Sequence, residues 1–471
     1  THEKVYHLGL DKVERRNNMR TKLWKRITAC LLTGAMIGML AACGNSNNSG
    51  TDTQDTAVDS DTGADAEDTG NNEDAGTEAV ELNLLSHRYA ALEYYAQAMV
   101  DNAPDNVTLN TELTTYGDWQ EKMTMNLSSK SSAYDLTYIF PPDLATFADG
   151  GWLLPLDDYI EKYKDEYHFD DIPDYLWDAY TYDGHIYGIP SHQWAALIFA
   201  RDDVLKEAGL DAPETLDDLV AAAEALTTDS RSGLTLSLKA SDLLAITFQC
   251  FMTACGGWWF DDDMKPAFNS EEAMEAISYI QKLMPYCPDG STTYGSDEAA
   301  LAMTQDLAAM GLIQTTRSGD MDNEEKSKVV GKVGFYNPPA LEEGGPTASL
   351  FATAGYSISA FTENDPDLVF RTMCNALTED VMKEGAETGM PVRTSLLNDE
   401  LFESRPDYKA AWDAIQDGAR MRPAIPEFSE IMEISMTALA DVLINGTDAQ
   451  SAMDKAAAEC EEILDEAGYY E

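Results

Sequence analysis

Three short apolar runs, residues 80–85 (VELNLL), 107–113 (VTLNTEL) and 135–140 (DLTYIF), have the length and side-chain content of β-strands. Between them, apolar residues recur at three- and four-residue spacing over 91–100 and 118–127, which predicts helices. A βαβαβ order makes the strands mainly parallel, because each helix carries the chain back across the sheet. Residues 186–199 (IYGIPSHQWAALIF) read as an extended passage with Pro190 in its middle, followed by a helix over 202–208. Thr215-Leu216-Asp217-Asp218 and Asn269-Ser270-Glu271-Glu272 both have capping-box form, so further helices start there, in a second α/β lobe. Residues 333–336 (VGFY) and 349–360 (SLFATAGYSISA) are again extended, and 366–469 is helical in nearly all of its pattern. A body running from Val80 to Glu471 is too long for one typical core, and it should divide in two.

Upstream, the pattern changes character. Residues 19–43 (MRTKLWKRITACLLTGAMIGMLAAC) combine a basic start, an apolar stretch over 27–40 and a small-residue site ending in cysteine. The segment resembles a bacterial lipoprotein signal, and that resemblance implies lipidation of Cys43, which becomes the mature N-terminus. A transmembrane helix is the alternative, but the apolar run falls short of the roughly 20 residues a span needs. Thr1 to Asn18 precede a complete signal and are read as an untranslated extension. Residues 44–79 hold almost no apolar side chain and neither Lys nor Arg. Such a segment cannot offset its ordering entropy, so 43–79 is expected to be a disordered acidic tether reaching roughly 30–35 Å.

The 84 acidic against 31 basic residues, a formal charge of -53, argue against nucleic acid as a partner, since no basic stripe is present to meet a phosphate backbone. Beyond the signal, Cys250, Cys255, Cys287, Cys374 and Cys460 show no zinc spacing. A Cys250–Cys255 bridge is conceivable in an exported protein, but five buried small hydrophobes are the preferred reading. Asp261-Asp262-Asp263 lacks the spaced ligands of a calcium loop and reads as a solvated turn. Neither a metal nor a cofactor is called for. No H-E-x-x-H, G-x-S-x-G or P-loop occurs, so no catalytic residue is nominated.

In parallel sheets ligands sit beyond the carboxyl ends of the strands. Here those ends carry His87-Arg88-Tyr89, Tyr116 and Phe140. Aromatic planes beside planar polar groups suit a sugar, which presents C–H faces and a hydroxyl rim. Tyr138, inside a strand, reads as core.

An ordered series then carries a family resemblance: YGDWQEK (116–122), YDLTY (134–138), GWLLPLD (151–157), YGIP (187–190), LIFAR (197–201), AFNSEEA (267–273) and PVR (391–393). The chain resembles the family 1 extracellular solute-binding proteins of ABC importers, the group of maltose-binding protein, over essentially the whole body. The resemblance implies an α/β fold of two lobes, a type II clamshell closing on its solute, with each lobe a mainly parallel sheet flanked by helices. It implies crossings near 192–195, 351–354 and 389–394. The N-lobe is then 80–192 plus 355–392, and the C-lobe 193–354 plus 393–471.

Gln193 falls where the family places a polar ligand contact, beside Trp194 at the first crossing. Trp258 and Trp259 either edge the cleft or plug a corner. Gln314 and Arg317 follow a run where the family often has a tryptophan, and Met432 stands at another usual aromatic position, so two stacking positions depart from the maltodextrin-type pattern. Tyr356, two residues past the second crossing, completes the candidate set. Arg393 is expected to pair with an acid at the hinge. The reading is a lipid-anchored, monomeric receptor that captures a sugar or oligosaccharide and passes it to ABC permease subunits in the membrane. An exported carbohydrate-active enzyme and a surface adhesin are the alternatives.

Overall fold

The computed structural model of the chain describes residues 78–345 and 348–470. The expected signal, Cys43 and all but the last two residues of the expected tether lie outside the described residues. Strands β1 (Val80–His87) and β2 (Val107–Thr114) pair parallel from Val80 opposite Val107, and β1 also pairs parallel with β3 (Leu136–Ile139). Every residue of β3 is buried, which fits its apolar sequence and central place. The helix Ala90–Asp101 buries Leu92, Tyr95, Ala96 and Met99, and the helix Tyr116–Ser128 buries Trp119, Met123 and Leu127, each a stripe of helical spacing. Thr115 caps the second helix by accepting from the Asp118 amide.

After a hairpin of β4 (Thr181–Tyr182) and β5 (His185–Ile186), the chain enters β6 (Ile189–Arg201), twelve of whose thirteen residues are buried. Its far half pairs antiparallel with β8 (Ala308–Gln314) and β9 (Val333–Tyr336), and β8 pairs parallel with β7 (Ser232–Thr235). Its near half pairs antiparallel with β10 (Phe351–Ile358), which returns the chain to lie against β3. One sheet of order β2-β1-β3-β10-β6-β8-β7 therefore runs through the whole body.

The three segments expected to cross between halves lie side by side. Ala195 to His192 of β6 face Phe351 to Ala354 of β10, and on the other edge Gln193 and His192 face Met390 and Pro391 of β11 (Met390–Pro391). Ala354 is opposite His192 but Gly355 is opposite Pro190, so Ser191 is an extra residue in β6. Its hydroxyl donates to Ala354 O at 2.9 Å. A Cβ on Gly355 would stand 2.3 Å from Ile189 O, so only glycine lets β10 pass this irregularity.

Two large cores flank this seam. One gathers Leu84, Trp119, Tyr138, Ile139, Tyr356 and Phe370, and the other Ile198, Phe248, Trp259, Phe268, Phe428 and Leu439. A smaller cluster of Phe199, Met390 and Tyr408 packs around the joint itself.

Asp202–Ala208 is helical as expected, and Thr215 with Asp218 forms a reciprocal capping box. At Ser270 only the forward bond to the Ala273 amide forms, because the residue three positions on is alanine and has no side-chain acceptor to reach back. All five body cysteines are buried and free.

Arg393 corrects an expectation. It is fully buried and donates to three carbonyls, Tyr167 O at 2.8 Å, His168 O at 2.9 Å and Leu377 O at 2.7 Å, with no carboxylate in ion-pair range among the described residues. Tyr167 closes the helix Asp157–Tyr167 and Leu377 follows the helix Pro366–Asn375, so the guanidinium meets carbonyls that helix ends leave unpaired.

Candidate binding site

His87 and Tyr116 come together because they stand at the carboxyl ends of two neighbouring parallel strands, β1 and β2. The His87 ring lies edge-on to Tyr89, Tyr116 and Tyr138, with centroids 5.2, 5.8 and 6.0 Å away. Its Nδ1 is 3.2 Å from Thr114 O. Burial pushes the imidazole pKa below its ordinary value, against the pull of that carbonyl, so the ring is neutral at pH 7.

Below it sits a carboxylate absent from the sequence-based candidates. Pro141 and Pro142 open the helix Pro141–Asp149, where a missing amide costs nothing, and they aim Asp143 inward from its first turn. Tyr116 Oη donates to Asp143 Oδ2 and Gln120 Nε2 to Oδ1, both at 2.8 Å. Asp143 is 2% exposed. Burial raises its carboxyl to about 6, although the two hydrogen bonds favour the ionised form.

The other half of the body brings Asp242, in the first turn of the helix Asp242–Ala254, and Arg422, in the loop before the helix Phe428–Asn445. Arg422 is 8% exposed, donates from Nη2 to Asp242 O at 2.5 Å, and leaves Nε without a partner. Arg422 and Asp242 act electrostatically on both Asp143 and Tyr116, yet Arg422 forms no ion pair with Asp143. The two sides touch one helical turn further on, where Thr146 Oγ1 donates to Pro426 O at 3.0 Å. Arg317, paired with Asp297 at 2.8 Å, and Asp242 also act on His87. The arrangement therefore faces donor-rich and acceptor-rich groups toward each other, with aromatic rings beside them.

The remaining candidates scatter. Phe140 is half-buried and packs against both large cores. Trp194, opposite Ala352, is half-buried and packs against the second core. Trp258 is also half-buried, with the Arg420 guanidinium 3.4 Å above its ring. Arg88 points outward, donating to Leu113 O at 3.1 Å and standing 3.6 Å from Glu93.

Four candidates are interior. Gln193 accepts from Tyr175 Oη at 2.9 Å and donates to Pro391 O at 2.8 Å, a fully buried strut of the joint. Trp259 has no exposed surface, and its Nε1 donates to Gln249 Oε1 at 2.8 Å, so of the tryptophan pair it is the packing plug. Tyr356 is equally sealed, 3.4 Å from Leu92 O. Gln314 ends β8 and is buried. Gln193, Trp259 and Tyr356 have no exposed surface in this structure, and Gln314 keeps 5% of its own.

Sequence reasoning named none of Asp143, Gln120 and Arg422 as a ligand contact. The strand-end argument that selected Phe140 would have reached Asp143 three residues later. Tyr89 has a further role, since its hydroxyl lies 2.7 Å from His192 Nε2. Because the Ser191 hydroxyl donates to Ala354 O, it accepts from His192 Nδ1–H at 3.0 Å, which leaves Nε2 to accept from Tyr89. Burial pushes this histidine down to about 3, so it remains neutral. A groove of about 750 Å³ on the flank of the second half, lined by Pro213, Tyr336 and Pro338, shares no residue with this cluster.

A sheet continuous through two cores, with three crossings at one joint and a polar cluster where the halves meet, defines a two-lobed binding protein of type II. Solved structures share that fold. A ribitol-bound ABC transporter solute-binding protein of Agrobacterium radiobacter matches with a TM-score of 0.75 at 24% identity, covering 82% of this chain and 99% of that one. A maltose-bound protein of T. maritima matches with a TM-score of 0.74 at 20% identity, covering 82% and 100%. The family profile described as bacterial extracellular solute-binding protein matches residues 86–380, and the chain belongs to that family. Among characterised relatives, the mannitol-binding protein of Pseudomonas aeruginosa is 25% identical over 227 residues, 47% of this chain and 51% of that protein. The arabinooligosaccharide-binding protein of Halalkalibacterium halodurans is 25% identical over 271 residues, 56% and 59% respectively. The chain thus spans about half the length of these two relatives.

Proposed function

We propose that the protein is the lipid-anchored solute receptor of an ABC importer and that it captures a sugar, polyol or oligosaccharide by closing its lobes. The observation that carries this reading is the meeting of His87, Tyr116 and Asp143 at the strand ends with Arg422 and Asp242 from the other half. These groups offer aromatic surface together with fixed donors and acceptors, the combination a hydroxylated solute needs. The sugar and polyol ligands named for relatives and structural neighbours support the same class.

In this reading the N-lobe is 80–192 with 355–392, the C-lobe is 193–354 with 393–471, and the receptor acts as a monomer without transforming its solute. Cys43 tethers it to the outer face of the cell membrane, and the permease subunits of the importer are its partners.

A thermal-shift panel of polyols, mono- and oligosaccharides tests the ligand class. A ligand at about 100 times its Kd adds roughly 2.7 kcal/mol to native stability, a rise of several degrees in Tm. No shift with any member would remove the carbohydrate reading, and recovery of an altered sugar would bring back the enzyme. Retention of a processed Cys43→Ala variant in the membrane fraction would remove the anchor.

A further inference from the structure

We infer that the cleft selects a neutral hydroxylated solute over an acidic one, with solute hydroxyls bridging Asp143 and Arg422. The inference rests on the carbohydrate reading and goes further by naming the charge class of sugar.

The argument starts from what each group has left to offer. The Asp143 oxygens each take one hydrogen bond, from Tyr116 and from Gln120, and a carboxylate oxygen has a further lone pair to give. Arg422 has donors only, one of them committed to Asp242 O and its buried Nε unpartnered. A hydroxyl both donates and accepts, so a solute with several hydroxyls can satisfy both sides without bringing a charge. A carboxylate satisfies Arg422 but adds a third negative charge beside Asp143 and Asp242, in a region from which water is largely displaced. An ammonium has the converse fault, meeting Asp143 while standing against the Arg422 guanidinium. His87, held neutral by burial, supplies no positive charge to offset an anion, and Arg317 is already paired with Asp297. The formal charge of -53 acts in the same direction at long range, slowing the approach of any anion.

Calorimetric titration of the full chain at pH 7.5 tests this with matched pairs: D-galactose with D-galacturonate, D-mannitol with D-mannonate, and each oligosaccharide that raises Tm with its uronic acid counterpart. The neutral member of a binding pair should be tighter by at least about tenfold. In Asp143→Asn, which keeps the shape and removes one negative charge, that ratio should fall by about tenfold, while Arg422→Gln should weaken the neutral member. Equal or tighter binding of the acidic member to the unaltered protein overturns the inference and leaves the carbohydrate reading standing, as does an unchanged ratio in a folded Asp143→Asn. Silence from every pair overturns both. The ratio in the unaltered protein depends on no variant, so a misfolded substitution does not block the decision.

Discussion

Replacing Arg393 by methionine tests whether one buried guanidinium holds the third crossing to the two helix ends behind it. The side chain is 1% exposed and spends two nitrogens on three carbonyls, at 2.7 to 2.9 Å. Methionine fills similar volume but donates nothing, so Tyr167 O, His168 O and Leu377 O would each lose a partner in a place water reaches poorly. A hydrogen bond from a charged donor contributes about 1.5–3 kcal/mol, and an acceptor left buried and unpaired costs about 1–3. The three bonds share one guanidinium whose own burial opposes them, so their sum is an upper bound. Arg393→Met should cost about 3–5 kcal/mol, the range for removing one partner from a buried charged network. The nearby clasp of Asp171 on Ser395, at 2.6 and 2.9 Å, limits how far the segment can move to compensate. Urea unfolding gives the difference from the midpoint. Arg393→Lys, with a point charge in place of a fork, should recover only part of the loss. A loss below about 1 kcal/mol for methionine would show that solvation of the guanidinium cancels its bonds.

Two further outcomes concern the site. Trp194→Ala should weaken solute binding by about 2 kcal/mol or more if the half-buried ring is a stacking surface; an unchanged affinity with the unfolding free energy from urea titration lowered by the roughly 3–5 kcal/mol of a deleted core aromatic would assign it to packing. Asp143 has a folded pKa of about 6 against an ordinary 3.8, so between those values the folded state holds a proton that the unfolded state has lost. The contribution of this carboxyl is most favourable below about pH 4 and declines as pH rises to 6. Stability measured against Asp143→Asn should therefore fall by about 2–3 kcal/mol across that window and then level off, and a flat difference would refute the burial argument.

Much of the frame is legible in the amino-acid pattern because it depends on local periodicity. The first three strands, the helix at Asp202–Ala208 and the box at Thr215 follow from spacing and capping chemistry within a few residues. His87, Tyr116 and Phe140 follow from the strand ends. The tight turn at Asp183-Gly184, with both residues at positive φ, had a plain signal that the reading passed over. What periodicity does not carry is the direction of a side chain outside a regular element. Trp258 and Trp259 are neighbours in sequence, yet one lies under Arg420 and the other is sealed by Phe428 at 5.0 Å. Gln193 and Trp194 divide in the same way across β6. Asp143 was hidden because Pro-Pro-Asp reads as a turn, and only its partners across the cluster show the carboxylate to be buried. The true partners of Arg393 lie 16, 225 and 226 residues away, and carbonyls have no sequence signature at all.

The position of β10 in the sheet has a consequence for the order in which the protein can be made. β3 and β6 are not adjacent; β10 lies between them and pairs with both, and it is a strand that the ribosome delivers after β9. Until then β3 has an unpaired edge, and the near half of β6 lacks both β10 and the still later β11. Translation therefore runs through most of the chain before the central seam can close. The seam that joins the halves is thus among the last parts of the sheet that synthesis supplies.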